Sequence, residues 1–392
     1  MTTTVPPRLF PQSESPSLED FTALCSRTTD PATYPLAASI QNNIPIYDAS
    51  GPAPTDDATT ASRLQDEWHH ILASGPGAFV LKGMYSPAVV DAATAAFDRI
   101  IAREREQAST SNKGDHFAAG GANDRIWNSF GKHALEDPES FVTYYSNPWL
   151  ALVCAAWLGP GYRVTAQVNV VRPGGTAQSP HRDYHLGFQE DAVSARFPRT
   201  AHVASQFLTL QGAVAHSDMP LASGPTRLLP FSQMFEPGFL AWRRTEFREF
   251  FQQRYVALPL EKGDGIFFNP ALFHAAGANE TADLRRAANL IQVSSAMGKT
   301  MESIDSVPLV ERCWDVLRRK YSEEGLGARV EAFVRAVADG YSFPTNLDKR
   351  PPAPSGMAPE TEQDVLLRGL KEGWDTEGVV QALRQLRQDS AA

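Results

Sequence analysis

The sequence predicts a mainly β core, of the sandwich or jelly-roll type, with helices at both ends. From about residue 162 to residue 295, short segments rich in apolar and β-branched residues are separated by Pro and Gly turns, which is typical of antiparallel strands. Helical periodicity precedes and follows this region. The chain has 392 residues, of which 42% are hydrophobic, so it can bury a large core.

An extended arm, two helices and a short strand are predicted before the β core. Residues 1–55 are rich in Pro, Ser and Thr and have no sustained period, so we predict an extended arm there. A helix begins at Asp56, because four apolar residues recur on one face: Leu64, Trp68, Ile71 and Leu72. The SGPG segment at 74–77 ends this helix, and AFVLKGMY predicts a short strand. Ser86-Pro87 predicts the start of a second helix.

The middle and the end of the chain complete the outline. A polar loop over about residues 107–124 is long enough to form a lid, and an apolar helix follows at about 149–158. Four strands are then predicted, in the segments YRVTAQVNVV, FLTLQGAVA, RYVALPL and GIFFN. A helical insertion at about 235–253 interrupts them. We therefore predict a β domain over residues 56–300 and a helical extension over residues 301–392.

Composition excludes several classes of partner. A net charge of −9 and a pI near 5.5 argue against a nucleic-acid-binding face and against a polybasic membrane anchor. Three cysteines without CxxC spacing argue against a disulfide framework. The apolar helix has only about ten apolar residues, too few to span a bilayer, and the N-terminus lacks a secretory pattern. We expect a cytoplasmic protein, and a homo-oligomer is compatible with the sequence.

The segment HRDYHLGF contains a potential metal site. Residues i and i+2 of a strand point the same way, with Cα atoms about 6.6 Å apart, so His181 and Asp183 can bind one ion. His185, about 13 Å from His181 along a straight strand, is a poor third ligand. We interpret it as a packed histidine or as a residue that faces the substrate.

The third ligand has a better candidate far along the chain. His274 follows the predicted strand GIFFN and would complete two histidines and one carboxylate, the facial arrangement of non-haem Fe(II) oxygenases. Taken alone, His274 is better explained as a buried structural histidine. His216-Ser217-Asp218 is a second His-x-carboxylate segment and a competitor for the first pair.

Residues from about Gly77 to Val293 resemble the phytanoyl-CoA dioxygenase family of Fe(II)/2-oxoglutarate oxygenases. The segment GAFVLKGMYSPAVVDAATAAF is similar to the family's entry strand and helix, and the His181/Asp183 pair follows it. SDMPLASGPTRLLPFSQ resembles its NGP-R-x-x-PGSH turn, and GDGIFFNPALFHAAGANETADLRRAANL its distal histidine and arginine segment. The resemblance implies a double-stranded β-helix core with the metal ligands His181, Asp183 and His274.

The resemblance also implies a site for 2-oxoglutarate. A planar guanidinium suits the far carboxylate of this cosubstrate, and Arg285 lies eleven residues beyond His274, the offset that the family uses. Arg286 is the alternative, since adjacent residues of a strand face opposite ways and only one can enter the site.

This sequence departs from the family at the cosubstrate. Ala276 replaces the Ser or Thr that relatives often carry two residues after the distal histidine. A hydroxyl from Thr226 or Thr209 could compensate, and Gln167 or Asn169 could contact the cosubstrate.

The activity that the resemblance implies is oxidation of a small-molecule metabolite, most simply its hydroxylation, with consumption of O₂ and release of succinate and CO₂. Arg125 and Trp127 lie in a segment that lines the pocket in this family, with His185 as a further substrate candidate. The helical insertion could cap the site. Two other hypotheses stay open: a catalytically silent jelly-roll protein that binds a ligand, and a cupin-type metal-dependent hydrolase or isomerase.

Overall fold

The chain folds around two β-sheets in a computed structural model that describes residues 5–11, 15–108, 123–343 and 345–391. The large sheet has the strand order β1-β2-β3-β9-β6-β11-β5-β4, and the small sheet has the order β10-β7-β8. In chain order the strands are β1 (Ser39–Gln41), β2 (Ile44–Asp48), β3 (Ala78–Lys82), β4 (Asn123–Ile126), β5 (Arg163–Val171), β6 (Thr209–Ala215), β7 (Thr226–Leu228), β8 (Val256–Ala257), β9 (Gly265–Phe268), β10 (His274–Ala276) and β11 (Arg286–Ser294).

The helices lie before, between and after these strands. They are α1 (Leu18–Cys25), α2 (Ala58–Ala73), α3 (Pro87–Ala108), α4 (Ser129–Glu136), α5 (Pro138–Tyr145), α6 (Pro148–Leu158), α7 (Asp191–Ser194), α8 (Arg199–Ala204), α9 (Thr245–Arg254), α10 (Ser306–Glu324), α11 (Ala328–Val337), α12 (Glu362–Glu372) and α13 (Thr376–Ser390). Several begin at a side-chain cap, as at Asp57 before α2 and Asn147 before α6. Within the described ranges, no helix combines the length and the apolar character needed to cross a membrane.

The two faces of the large sheet bury different cores. Because strand side chains alternate between faces, Phe79 and Leu81 of β3 pack with the helices, whereas Ala78 and Val80 pack with side chains around the small sheet, among them Leu228. Burying a large apolar side chain contributes roughly 1.5–3 kcal/mol. Two facing sheets with helices on the outer face confirm the predicted jelly-roll core with flanking helices.

Residues 15–55 do not form the extended arm that the sequence predicts. Phe21 of α1 packs on Phe247 of α9, with ring centroids 5.0 Å apart. Strand β2 joins the large sheet parallel to β3, with Ile46 opposite Val80. The prediction is wrong there because β2 is only five residues long and contains a proline, so its apolar alternation is too short to stand out in the sequence.

The last helices share a core with the helices that precede β5. Leu309 and Trp314 of α10 and Leu383 of α13 belong to the same apolar cluster as Phe141 of α5. The predicted insertion at 235–253 contains a short 3₁₀ helix followed by α9. Of the polar loop predicted at 107–124, residues 109–122 lie outside the described part of the chain.

His216, the histidine of the competing His-x-carboxylate pair, lies on the helix side of the large sheet. The Thr94 hydroxyl donates to the Val90 carbonyl and therefore accepts from Nδ1 of His216 at 2.8 Å. The Tyr144 hydroxyl then donates to Nε2 at 3.0 Å. Both ring nitrogens are engaged, so His216 is a structural histidine in a neutral tautomer.

The buried histidines of this layer should make the fold acid-sensitive. Burial lowers the pKa of His133 from 6.5 to about 4 and that of His216 from 6.5 to about 3. The unfolded chain therefore binds more protons, and stability is lost as pH falls below 6.5. Between pH 7 and pH 5 we expect a loss of about 2 kcal/mol for each histidine in the free energy of unfolding, measured with urea.

The variant His216→Gln is the control for this pH dependence. Its amide keeps a neutral polar group between Thr94 and Tyr144, so this variant should lose only the contribution of His216, about 2 kcal/mol between pH 7 and pH 5. If the pH dependence of stability in this variant equals that of the wild type, His216 is not one of the histidines that cause it.

Candidate metal centre

Three potential metal ligands meet at one end of the small sheet. Nε2 of His274 lies 3.3 Å from Oδ2 of Asp183, and Nε2 of His181 lies 3.6 Å from Oδ1 of the same carboxylate. One donor atom from each residue lies within 4.8 Å of the others. His274 is the first residue of β10, and a backbone bridge pairs it with His181. The sequence-distant residues that were predicted to converge thus lie together.

Backbone carbonyls fix the orientation of both imidazoles. Nδ1 of His181 donates to the carbonyl of Ser179 at 2.8 Å, and Nδ1 of His274 donates to the carbonyl of Leu272 at 2.8 Å. Each ring therefore keeps its proton on Nδ1 and presents the Nε2 lone pair to the centre.

The carboxylate is held in its ionised form. Burial alone would raise the pKa of Asp183, but in the metal-free site protonation of His181 and His274, the latter with a hydrogen bond to the carboxylate, and a hydrogen bond from Gln211 together lower this pKa well below 3.8. Burial lowers the pKa of His181, which favours the neutral imidazole. Two neutral imidazoles and one carboxylate are the donor set of 2-His-1-carboxylate metal sites, so these residues fit a divalent transition metal.

A cavity of about 380 Å³ extends from this trio between the two sheets. Strands of the large sheet supply about half of the lining residues, polar and apolar alike. The polar lining residues other than the trio are Arg125, Gln167, Asn169, Gln178, Gln211, Thr226, Arg286 and Gln292. The apolar ones include Trp127, Phe188, Met219, Leu260, Ile266, Phe268, Leu290 and Met301.

The choice between the two adjacent arginines is decided by the register of β11. Even-numbered residues of this strand, such as Ala288 and Leu290, line the cavity, and Arg286 does so too. Arg285 points away: its side chain is 53% exposed and lies 4.0 Å from Asp98. The prediction that Arg285 enters the site is therefore wrong.

Arg286 is built into the cavity wall. It is 6% exposed, and its Nη1 donates to the carbonyls of Ser223 and Gly277, both at 3.2 Å. Among the described residues, no atom accepts a hydrogen bond from its Nε or Nη2. Burial lowers the pKa of Arg286 to about 10, so the guanidinium stays charged at neutral pH.

The other predicted cosubstrate residues also line the cavity. Gln167 and Asn169 project from β5, and Oε1 of Gln167 accepts a hydrogen bond from Arg125. Thr226 lies directly opposite Ala276 in the β7–β10 pair, where its side chain borders the cavity. Thr209, the other hydroxyl considered, does not line it.

Of the predicted substrate residues, Arg125 and Trp127 line the cavity and His185 does not. The guanidinium of Arg125 lies over the Trp127 ring, 4.7 Å from its centroid. His185 is in a 3₁₀ turn with φ of 39°, so the strand geometry assumed for HRDYHLGF ends before it.

None of residues 235–253, the predicted helical insertion, lines the cavity. Arg182, between the two ligands in sequence, is buried and donates to the carbonyls of Ser232 and Phe235 at 2.6 and 3.0 Å. Its guanidinium also packs on the rings of Phe239 and Phe273. Arg182 thus attaches the ligand segment to the start of the insertion, and the predicted cap is not observed.

Three lining glutamines were missed in the sequence. Oε1 of Gln178 accepts from the Ala276 amide at 3.2 Å, Gln211 donates to Asp183, and Gln292 accepts from Gln167 at 3.4 Å. Gln211 is the one amide in the mostly apolar strand β6, a signal that could have identified it.

Comparison with known proteins agrees with this geometry. The family model of phytanoyl-CoA dioxygenase (PhyH) matches residues 74–287. A curated relative, the dioxygenase andF of Emericella variicolor, is 23% identical over 145 residues, which are 36% of this chain and 45% of the relative. The match therefore spans less than half of that relative's own length.

Two solved structures resemble the chain more loosely. The non-heme alpha ketoglutarate dependent carbocyclase SnoK from nogalamycin biosynthesis aligns with a TM-score of 0.44 and 20% identity, covering 63% of this chain and 87% of SnoK. The epimerase SnoN, solved with Fe3+, alpha ketoglutarate and nogalamycin RO, aligns with a TM-score of 0.39 and 17% identity, covering 61% of this chain and 85% of SnoN. The PhyH family model matches more than half of the 392 residues of this chain. The chain therefore belongs to the phytanoyl-CoA dioxygenase family.

Proposed function

We propose that the protein is an Fe(II)/2-oxoglutarate-dependent dioxygenase that oxidises a small-molecule metabolite, most simply by hydroxylation. The observation that carries this proposal is the trio His181, Asp183 and His274 at one end of a cavity that also contains the buried Arg286. A metal-dependent hydrolase or isomerase could use the trio but has no need of the buried guanidinium.

The metal ligands and Arg286 would have different roles. His181, Asp183 and His274 would hold iron by one face, which leaves the opposite face for 2-oxoglutarate and O₂. Iron bound there supplies the activation of O₂ that is coupled to conversion of 2-oxoglutarate into succinate and CO₂. Arg286 would bind the far carboxylate of 2-oxoglutarate, because a planar guanidinium matches a carboxylate through two hydrogen bonds.

The cosubstrate has further candidate contacts in the wall. The Thr226 hydroxyl, opposite Ala276, would supply the hydrogen bond that relatives obtain from a Ser or Thr at the Ala276 position. Asn169 and Gln167 would contact polar groups of the cosubstrate or substrate. The apolar lining residues would exclude water from the reacting groups, which would strengthen each of these polar contacts.

The substrate would bind in the part of the cavity lined by Arg125 and Trp127. A volume of about 380 Å³, shared with 2-oxoglutarate, restricts this substrate to a small molecule. The apolar walls would pack on its carbon skeleton, while the amides and Arg125 would bind its polar groups.

Succinate formation tests the proposal. The protein, reconstituted with Fe(II) and supplied with 2-oxoglutarate and O₂, should release succinate even without substrate, slowly but above a Zn(II)-loaded control, and faster with a substrate found by screening. Mass spectrometry of the product should then show one added oxygen atom for hydroxylation. Activity that is independent of 2-oxoglutarate would instead support the hydrolase or isomerase hypothesis.

A further inference from the structure

The side chain of Gln211 connects the centre of the large sheet to the carboxylate of Asp183. Nε2 of Gln211 donates a hydrogen bond to Oδ2 of Asp183. Gln211 lies in the middle of β6, opposite Phe268 of β9 on one side and Gln292 of β11 on the other. Its side chain is 6% exposed, so a well-packed part of the fold fixes the position of this donor.

Asp183 itself lies on a less regular segment. Its backbone amide donates a hydrogen bond to the carbonyl of Pro270 at 3.0 Å. The next two residues, Tyr184 and His185, have φ of 60° and 39° and form the start of a 3₁₀ turn rather than a strand. The local backbone therefore places the Asp183 side chain without fixing the rotation of its carboxylate, and Gln211 supplies that restraint.

Packing of the core does not by itself explain a glutamine at position 211. Within the described part of the chain, its buried Oε1 has no hydrogen-bond partner, and a buried polar atom without a partner lowers stability. The amide cannot simply be turned over, because Oε1 would then face the negative carboxylate. A buried glutamine with one unsatisfied oxygen is unfavourable for stability, so its presence at position 211 points to a role in the site.

We propose that Gln211 is a positioning residue for the metal-binding carboxylate. By donating to Oδ2, it leaves Oδ1 as the oxygen that binds the metal, so that Asp183 occupies a single coordination position and the remaining positions stay open for small ligands. This inference rests on the proposed function, because it requires Asp183 to be a metal ligand.

The test is a titration of the metal-free protein with Co(II), followed by its visible absorption, in the absence of 2-oxoglutarate. Gln211→Leu removes the donor at similar side-chain size. Gln292→Leu is the matched control, since this neighbouring amide lines the same wall and is paired with Gln211 but makes no hydrogen bond to Asp183. Should Gln211→Leu not fold, Gln211→Met repeats the test.

Loss of an outer hydrogen bond to a ligand typically weakens metal binding about 10- to 100-fold. We expect this loss and a changed Co(II) spectrum in Gln211→Leu, wild-type affinity in Gln292→Leu, and melting temperatures of the metal-free proteins that stay close to wild type. Equal affinities of wild type and Gln211→Leu, or equal losses in both variants, would overturn the role of Gln211. A wild-type protein that does not bind Co(II) would instead overturn the proposed function.

Discussion

Asp183→Ala is expected to abolish 2-oxoglutarate turnover and to remove tight metal binding. Asp183 supplies the anionic ligand of the trio, and among the described residues His181, Asp183 and His274 form the one group of this kind. Because even an outer partner of a ligand is worth about 10- to 100-fold in affinity or activity, loss of the ligand itself should cost more than about a thousandfold. Succinate release and Co(II) titration measure the two effects.

Asp218→Ala is the matched control for this experiment. Asp218 belongs to the competing His-x-carboxylate pair, but its Oδ1 accepts from the Lys262 amide, and its partner histidine is engaged on the helix side of the sheet. Turnover should stay near the wild-type rate. A loss in Asp218→Ala comparable to that in Asp183→Ala would contradict the assignment of the site.

Arg286→Ala should weaken 2-oxoglutarate binding about 100-fold. Removing one member of a buried charged pair costs about 3 kcal/mol, which corresponds to this factor. The guanidinium is 6% exposed, so water cannot readily replace it. Calorimetric titration of the Co(II)-loaded protein with 2-oxoglutarate measures the affinity, and metal binding itself should remain.

The neighbouring arginine gives a sharp control. Arg285→Ala should bind 2-oxoglutarate like the wild type, because its side chain is 53% exposed beside Asp98. Arg286→Lys should fall between the two, since an ammonium keeps the charge but lacks the planar pair of donors. Weaker binding in Arg285→Ala than in Arg286→Ala would contradict the register of β11 as the basis for the site.

The sequence predicts the segment that contains the cavity arginine but not which of Arg285 and Arg286 enters the cavity. An offset of eleven residues from His274 identified the right segment, but alternate strand residues face opposite ways, so a shift of one residue moves a side chain from the cavity to the surface. The hydrogen-bonded pairing of β11 with β5 and β6 decides the face, and that pairing involves segments far away in sequence.

Other features depended on contacts that no local pattern contains. The jelly-roll core could be predicted from a series of strands, and the metal trio from two short segments together with the resemblance to the family. Strand β2 could not, since its burial requires β3 as a partner. His185 was placed on a straight strand, whereas positive φ at Tyr184 and His185 turns the chain. The amide of Gln211 acquires its importance only through Asp183, which lies on another segment.

The most direct test of the proposed function is an anaerobic titration of the metal-free protein with Fe(II) and then 2-oxoglutarate. We expect a weak visible charge-transfer band in the wild type, at one equivalent of each, that is absent in Asp183→Ala and shifted to much higher 2-oxoglutarate concentrations in Arg286→Ala. Bound iron without this band at saturating 2-oxoglutarate would contradict the proposed 2-oxoglutarate-dependent function.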